Sequence, residues 1–375
     1  MTFIHESPDW PHFTWAPHAV ADSLAAVRHK LGNHLGLMQS LGFGLKTEAG
    51  ITTLVAEIVK SSAIEGEKLD TEEVRSSIAR KLGIEVAGVP KATREVDGIV
   101  EMMLDATRHC DEPLTAERLW GWHAALFPTG RSGLSRITVG AWRTDEHGPM
   151  QVVSGPLGHE RVHFEGPAAP RVAGEMQRFL DWFNGASTEI SPLLIEMDGV
   201  LKAAVAHLWF VTIHPFDDGN GRIARAVAEL ALARADGSKE RFYSMSWGIE
   251  ATRREYYLQL ESTQRGSMDI TSWLAWFLGC LDRSLDASEA LTGAVFRKAR
   301  LWQRLAEAGA NERQRAMLSR MLEPDWVGYL STAKYATLAK CSHDTALRDI
   351  KELVAWGLVA RNEAGGRSTS YRVEG

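Results

Sequence analysis

The chain has 375 residues, 45% of them hydrophobic, and a formal net charge of −6. That length buries a large core and predicts two or three domains, and the negative balance argues against non-specific nucleic-acid binding by the whole molecule while leaving a local basic surface open. Cys110, Cys280 and Cys341 are an odd set without paired spacing, which argues against a disulfide framework or structural zinc and predicts a cytoplasmic setting.

The N-terminus carries no basic region followed by a long apolar stretch, and no segment is apolar for membrane-spanning length, so neither secretion nor insertion is expected. The first module begins at Pro8-Asp9-Trp10-Pro11-His12-Phe13-Thr14-Trp15, whose aromatics are expected to cover neighbouring helices, and runs in helical pattern to about Leu45. Ile51, Leu54, Val55, Ile58 and Val59 then recur at helical spacing and lead into Ser61 and Glu65, one turn apart on a shared face, with Gly66 as the stop.

Further on, Ile137 to Arg143, Met150 to Gly155 and Glu160 to Phe164 read as short strands, with turn signals at Glu146-His147-Gly148-Pro149 and Gly155-Pro156-Leu157-Gly158. Val200, Leu201, Ala204, Val205, Leu208, Trp209 and Val211 form one helical pattern, and Ile223, Val227, Leu230, Leu232 and Ala233 form the next. Between them lies the densest chemistry of the chain, the loop His214-Pro215-Phe216-Asp217-Asp218-Gly219-Asn220-Gly221-Arg222-Ile223-Ala224-Arg225.

Each residue type in this loop answers to a nucleotide phosphate. Asn220 is expected to cap the second helix, leaving the amides around Gly219 and Gly221 at a positive helix N-terminus that binds anions. Pro215 forces His214 out of helical geometry, and a neutral imidazole there can take a proton from a hydroxyl. Asp218 and Asp217 are hard oxygen donors, and magnesium needs only one protein carboxylate when phosphates complete its shell. Arg222 and Arg225 share the first turn and can reach successive phosphates. Phe216 reads foremost as an anchor of the loop.

The loop resembles the Fic family signature, His-Pro-Phe-x-Asp/Glu-Gly-Asn-Gly-Arg-x-x-Arg, at every fixed position. The resemblance covers about Ile51 to Leu281. It implies a mainly α fold, a Fic helical core with a β-hairpin flap (about 137–164), and a reaction in which a protein Ser, Thr or Tyr hydroxyl attacks the α-phosphorus of Mg-ATP. It implies His214 as catalytic base and Asp218 as the magnesium ligand. Phe216, Gly219, Asn220, Gly221, Arg222 and Arg225 are implied on the nucleotide side, with Arg222 at the α/β-phosphates and Arg225 at the γ-phosphate. Tyr257 and Gln264 are implied near the adenosine, and the flap is implied to hold an extended segment of a protein target.

Ser61-x-x-x-Glu65-Gly66 is similar to the family's inhibitory motif carried N-terminal to the core, which implies a brake in which Glu65 pairs with Arg225. The same resemblance admits two rivals, removal of AMP from a modified protein, with Glu65 orienting a water, and a nucleotide-sensing DNA-binding regulator.

At the C-terminus, Glu312 to Leu322, Ser331 to Ala339 and His343 to Val354 read as three helices. Leu358 to Arg361, a Gly365-Gly366 turn and Ser370 to Val373 complete a winged helix-turn-helix pattern. Arg348 and Lys351 lie on the polar face of the third helix and Arg367 in the wing. Basic and acidic residues nearly balance in this tail, which leaves DNA binding, dimerisation and target docking open. The expected division is 1–110 with the inhibitory helix at about 50–66, a catalytic core over 111–285, a helical linker over 286–311 and the winged helix over 312–375.

Overall fold

The computed structural model describes residues 3–84, 92–146, 148–155, 159, 161–187, 190–322, 326–362 and 369–374, the side chains of 291–292 and 294–300 excepted. The fold is mainly α-helical, with small antiparallel sheets. Two compact units divide the chain, Met1–Gln39 with Ala49–Glu289 and Ser40–Glu48 with Ala290–Gly375. Among the described residues, no helix is long and apolar enough to cross a membrane.

The first unit holds helices α1 (Pro17–Gln39), the greater part of α2 (Phe43–Ile64), α3 (Thr71–Lys81), α4 (Arg94–Arg108) and α5 (Ala116–Leu126). Asp70 caps α3 by accepting from the amides of Glu72 and Glu73 at 2.8 and 3.0 Å. Where α4 meets α5 the chain needs glycine, because a Cβ on Gly98 would lie 1.8 Å from the carbonyl oxygen of Ala125. A small hairpin, β1 (Arg131–Ser132) with β2 (Ser135–Arg136), follows, then a second antiparallel pair, β3 (Gln151–Ser154) and β4 (Arg161–Glu165).

Ile137 to Arg143 was expected to be a strand and is not one. Its backbone is spent elsewhere: the amides of Thr138 and Arg143 bind Asp217 Oδ2 at 2.8 Å and the Pro215 carbonyl at 2.9 Å. A β-rich pattern makes extended backbone, but a strand also needs a partner edge. His147, Pro156, Leu157, Gly158 and Glu160 of the expected turns and strand lie outside the described residues.

Helices α6 (Ala169–Phe183), α7 (Pro192–Ile195), α8 (Gly199–Ile213), α9 (Asn220–Asp236), α10 (Met245–Ala251), α11 (Arg253–Gln264) and the start of α12 (Thr271–Glu307) complete the unit. All but one residue of α8 after Gly199 is buried, so it is the central helix and its neighbours wrap it on every side. Trp10 and Phe13 pack edge-on against Trp209 at 6.2 and 5.8 Å, so the N-terminal aromatics do cover the helix that delivers His214. α9 ends at Gly237, whose φ of 59° closes the helix in the left-handed region.

In the second unit, α13 (Glu312–Met321), α14 (Thr332–Leu338) and α15 (His343–Ala355) accompany a three-stranded sheet of β5 (Leu330–Ser331), β6 (Val359–Arg361) and β7 (Ser370–Val373), in the order β5-β7-β6. Leu318, Leu330, Tyr335, Ile350, Leu353 and Leu358 form its core. Asp349 of α15 is buried and accepts from Tyr335 Oη at 3.0 Å and Arg313 Nε at 3.1 Å. Arg348 and Lys351 are exposed, while Gly365, Gly366 and Arg367 lie outside the described residues.

Candidate active site

Helix α8 stops because His214 turns left-handed, with φ 52° and ψ 59°. Few residues other than glycine and asparagine accept that conformation, and here Arg143 holds it. Its backbone amide donates to the Pro215 carbonyl and its Nε to the His214 carbonyl, at 2.9 and 2.7 Å.

The His214 Nδ1–H donates to the Val211 carbonyl at 3.1 Å, which fixes the tautomer and leaves Nε2 with its lone pair. Burial, and next the Arg143 charge set against the Val211 hydrogen bond, lowers the imidazole pKa to about 4. The ring is therefore neutral near pH 7, with the Nε2 lone pair free of a proton.

Gly219, at φ 79°, starts α9. A Cβ there would lie 2.8 Å from Phe127, so the position has neither the room nor the dihedral for a side chain. Asn220 does not cap the helix as expected. Its carboxamide reaches back to Phe216, accepting from the amide at 2.9 Å and donating to the carbonyl at 2.7 Å. That diversion pins the loop and leaves the first-turn amides of α9 without a side-chain cap, which suits them to an anion.

Phe216 is fully buried and takes the anchoring part rather than a place in the cavity wall. It stacks on His123 of α5 with ring centroids 4.2 Å apart and planes within 6°. His123 Nε2 donates to the Asp218 carbonyl at 3.2 Å, and desolvation lowers its pKa to about 4. The two carboxylates of the loop are thereby separated in role. Asp217 accepts from the Thr138 amide, whereas Asp218 faces the cavity and accepts the hydroxyl of Ser132, from β1, on Oδ2.

Arg222 and Arg225 are 5% and 2% exposed, and each meets an acid from the segment around the end of α2. Arg225 forms an ion pair with Glu65 at 2.8 Å, while its Nε and Nη2 donate to the Ser61 hydroxyl and carbonyl at 2.8 and 2.9 Å. Burial would depress this guanidinium, and Glu65 more than reverses the effect. Arg222 Nη1 lies 2.8 Å from Glu67 Oε2 and its guanidinium sits over Phe127 at 5.2 Å. Gly221 makes room for Glu65, since a Cβ there would fall 2.1 Å from Glu65 Oε1.

The helix bearing Ser61 is held from behind. Glu57, 3% exposed, accepts from the Ser244 hydroxyl and the Ser246 amide at 2.8 and 2.9 Å, and Tyr257 Oη donates to the Ile64 carbonyl at 3.1 Å.

A cavity of about 650 Å³ opens onto these groups, with Glu65, His214, Asp218, Asn220 and Gly221 in its wall beside residues of β3, β4 and α11. Tyr257 and Gln264 both line it, as does Tyr256. Gln264 Nε2 donates to Thr212 at 3.2 Å. Strand β4 is fastened to α11 by Arg161 and His163 on Glu261, at 2.7 and 2.8 Å, and by Arg265 donating to the carbonyls of Val162 and His163.

Of the residues singled out in the sequence, the fold brings His214, Asp218, both arginines, Ser61 and Glu65 together. Sequence reasoning missed His123, Ser132, Arg143 and Glu67. Only Glu67, two residues beyond Glu65, carried a local signal.

Comparison with known proteins gives five findings. The Fic/DOC family model matches residues 113–232, and a model described as a domain of unknown function (DUF4172) matches residues 3–84. Protein adenylyltransferase fic-1 of Caenorhabditis briggsae is 36% identical over 103 residues, 27% of this chain and 18% of that protein. Protein adenylyltransferase Fic of Nematostella vectensis is 26% identical over 246 residues, 63% of this chain and 48% of that protein, so the match spans less than half the length of either relative. The crystal structure of a Fic family protein from Desulfovibrio desulfuricans G20 superposes with a TM-score of 0.57 at 21% identity, covering 97% of this chain and 98% of that one, a likeness of fold.

Proposed function

We propose, from the premise that this chain belongs to the Fic/DOC family through residues 113–232, that it is an autoinhibited protein adenylyltransferase moving AMP from ATP to a hydroxyl of a protein. The observation that carries the reading is geometric: His214 and Asp218 face one cavity with Glu65, whose carboxylate pairs with buried Arg225.

In the reaction the acceptor oxygen attacks the α-phosphorus, its proton passes to His214 Nε2, and the bond to the β-phosphate oxygen breaks to release pyrophosphate. The amides at the start of α9, with Arg222 and Arg225, offset the charge that develops, and no covalent enzyme intermediate is needed. Asp218 fits a magnesium site, being the loop carboxylate that faces the cavity while Asp217 is tied to the Thr138 amide. Magnesium bound there with the triphosphate would supply charge neutralisation.

Glu65 sets the resting state. While it holds Arg225, the γ-phosphate cannot take that guanidinium, and the competent state is populated only when the pair opens. The β3–β4 hairpin is the element we assign to an extended target segment, through strand addition. Three free cysteines support a cytoplasmic setting. In the second unit, Arg348 and Lys351 exposed on α15 favour a winged helix that meets DNA, with a homodimer contact as its other use.

Removal of AMP is the second reading, favoured by the place of Glu65 in the same cavity wall as His214, where a carboxylate can orient water. The deciding experiment supplies the Glu65→Gly protein with ATP labelled at the α- or the γ-phosphate, together with cell extract. Transfer of α-label alone supports AMP transfer. Transfer of γ-label, or release of AMP from premodified protein that Glu65→Gly abolishes, sinks it.

A further inference from the structure

Part of the cavity wall is supplied by the hairpin and α11, and it carries a hydrogen-bonded chain outside the phosphate machinery. The Ser154 hydroxyl lies 2.6 Å from His163 Nε2, and His163 Nδ1 lies 2.8 Å from Glu261 Oε2. All three residues line the cavity, beside Val152, Phe164 and Leu260. Glu261 is further held by Arg161 at 2.7 Å, with Arg265 at 3.6 Å.

Such a chain has a direction. An ionised carboxylate only accepts, so Glu261 obliges His163 to donate from Nδ1. A neutral imidazole that donates from Nδ1 is an acceptor at Nε2, and the hydrogen of Ser154 is spent there. What Ser154 then offers the cavity is an oxygen with lone pairs and no hydrogen. Desolvation would raise the Glu261 pKa, but the hydrogen bonds from His163 and Arg161 and the Arg161 charge outweigh it and hold the group below the usual carboxylate value, which keeps that end of the chain ionised.

We infer that Ser154, oriented by His163 and Glu261, selects the base of the nucleotide: it accepts a hydrogen bond from an exocyclic amino group, as in adenine, and disfavours a keto oxygen at that position, as in guanine. This rests on the reading of the cavity as a nucleotide site. With the phosphates at the first turn of α9, the nucleoside falls against the hairpin and α11. There Val152, Phe164 and Leu260 give the ring an apolar bed and Ser154 is the acceptor at its edge. A keto oxygen brought to the same oxygen would set two acceptors together, and neither could be satisfied.

The test measures binding, free of turnover, in the full-length Glu65→Gly/His214→Ala protein with magnesium at pH 8, titrating ribose-labelled ATP and GTP. The expected result is ATP bound at least tenfold more tightly than GTP. Ser154→Ala should shrink that ratio by on the order of three- to tenfold, the worth of one hydrogen bond. Glu261→Gln, whose amide can donate to Nδ1 and so reverse the chain, should also lower the ratio. A loss of affinity shared equally by ATP and GTP would mark a purely structural role and overturn the inference, as would an unchanged ratio or a preference for GTP before substitution. Failure of both nucleotides to bind would overturn it together with the reading on which it rests.

Discussion

Glu67 Oε2 lies 2.8 Å from Arg222 Nη1, so the first arginine of the loop is taken by an acid just as Arg225 is taken by Glu65. The two pairs differ in burial, for Glu67 is 47% exposed and Glu65 31%. A half-exposed pair is worth roughly 0–1 kcal/mol after solvent screening. Adding Glu67→Gln to Glu65→Gly should therefore tighten ATP binding by up to about fivefold, as titration calorimetry can measure. Weaker binding in the double variant would show that Glu67 assists the nucleotide instead of competing with it.

The loop carboxylates should separate cleanly. Asp218→Ala should weaken magnesium-dependent nucleotide binding by tenfold or more, while Asp217→Ala should leave it within about twofold and instead lower stability by about 1–3 kcal/mol, because the Thr138 amide loses its acceptor. Thermal melting and metal titration of both variants decide the matter. A larger metal defect at Asp217 would reverse the assignment.

Acid should unfold this protein through its buried histidines. Desolvation lowers the folded pKa of His123 and His214 to about 4 and of His207 to about 3, against an ordinary value of 6.5. Between those values the unfolded chain binds more protons, so stability is present above pH 6.5 and declines as the pH falls toward 4. Each histidine contributes a slope of about 1.4 kcal/mol per pH unit within that window. His123→Gln should thus show a shallower fall between pH 6 and 4.5 in denaturant titrations, whatever its stability at pH 7. An unchanged slope would mean that His123 is charged in the fold.

His214→Ala should remove transfer while leaving nucleotide affinity within a few-fold, because the role proposed for His214 is to take a proton and not to bind phosphate. Residual transfer near the parent rate would require another base.

The loop from His214 to Arg225 was readable because its residue types answer to phosphate and because two helical patterns flank it. Ser61 and Glu65 were readable as one face of a helix. His123, Ser132 and Arg143 were not, since each acts on the loop across many residues of chain and only packing brings it there. Asn220 misled for a physical reason: its propensity marks a helix start, but its carboxamide is captured by Phe216. Ile137 to Arg143 misled in the same way, the amides of Thr138 and Arg143 being claimed by Asp217 and Pro215 in place of a partner strand.

The central claim is that Glu65 holds back an otherwise complete transferase by occupying Arg225. The direct measurement is the initial rate of α-labelled AMP incorporation into protein by the parent, Glu65→Gly and Glu65→Gly/Arg225→Ala proteins at saturating magnesium and equal ATP. Each ~1.4 kcal/mol removed from the competing pair is tenfold in the competent population. The account predicts a rise of on the order of tenfold or more in Glu65→Gly and its loss when Arg225 is also replaced. Equal rates in the parent and Glu65→Gly, or a rise that survives removal of Arg225, would contradict it.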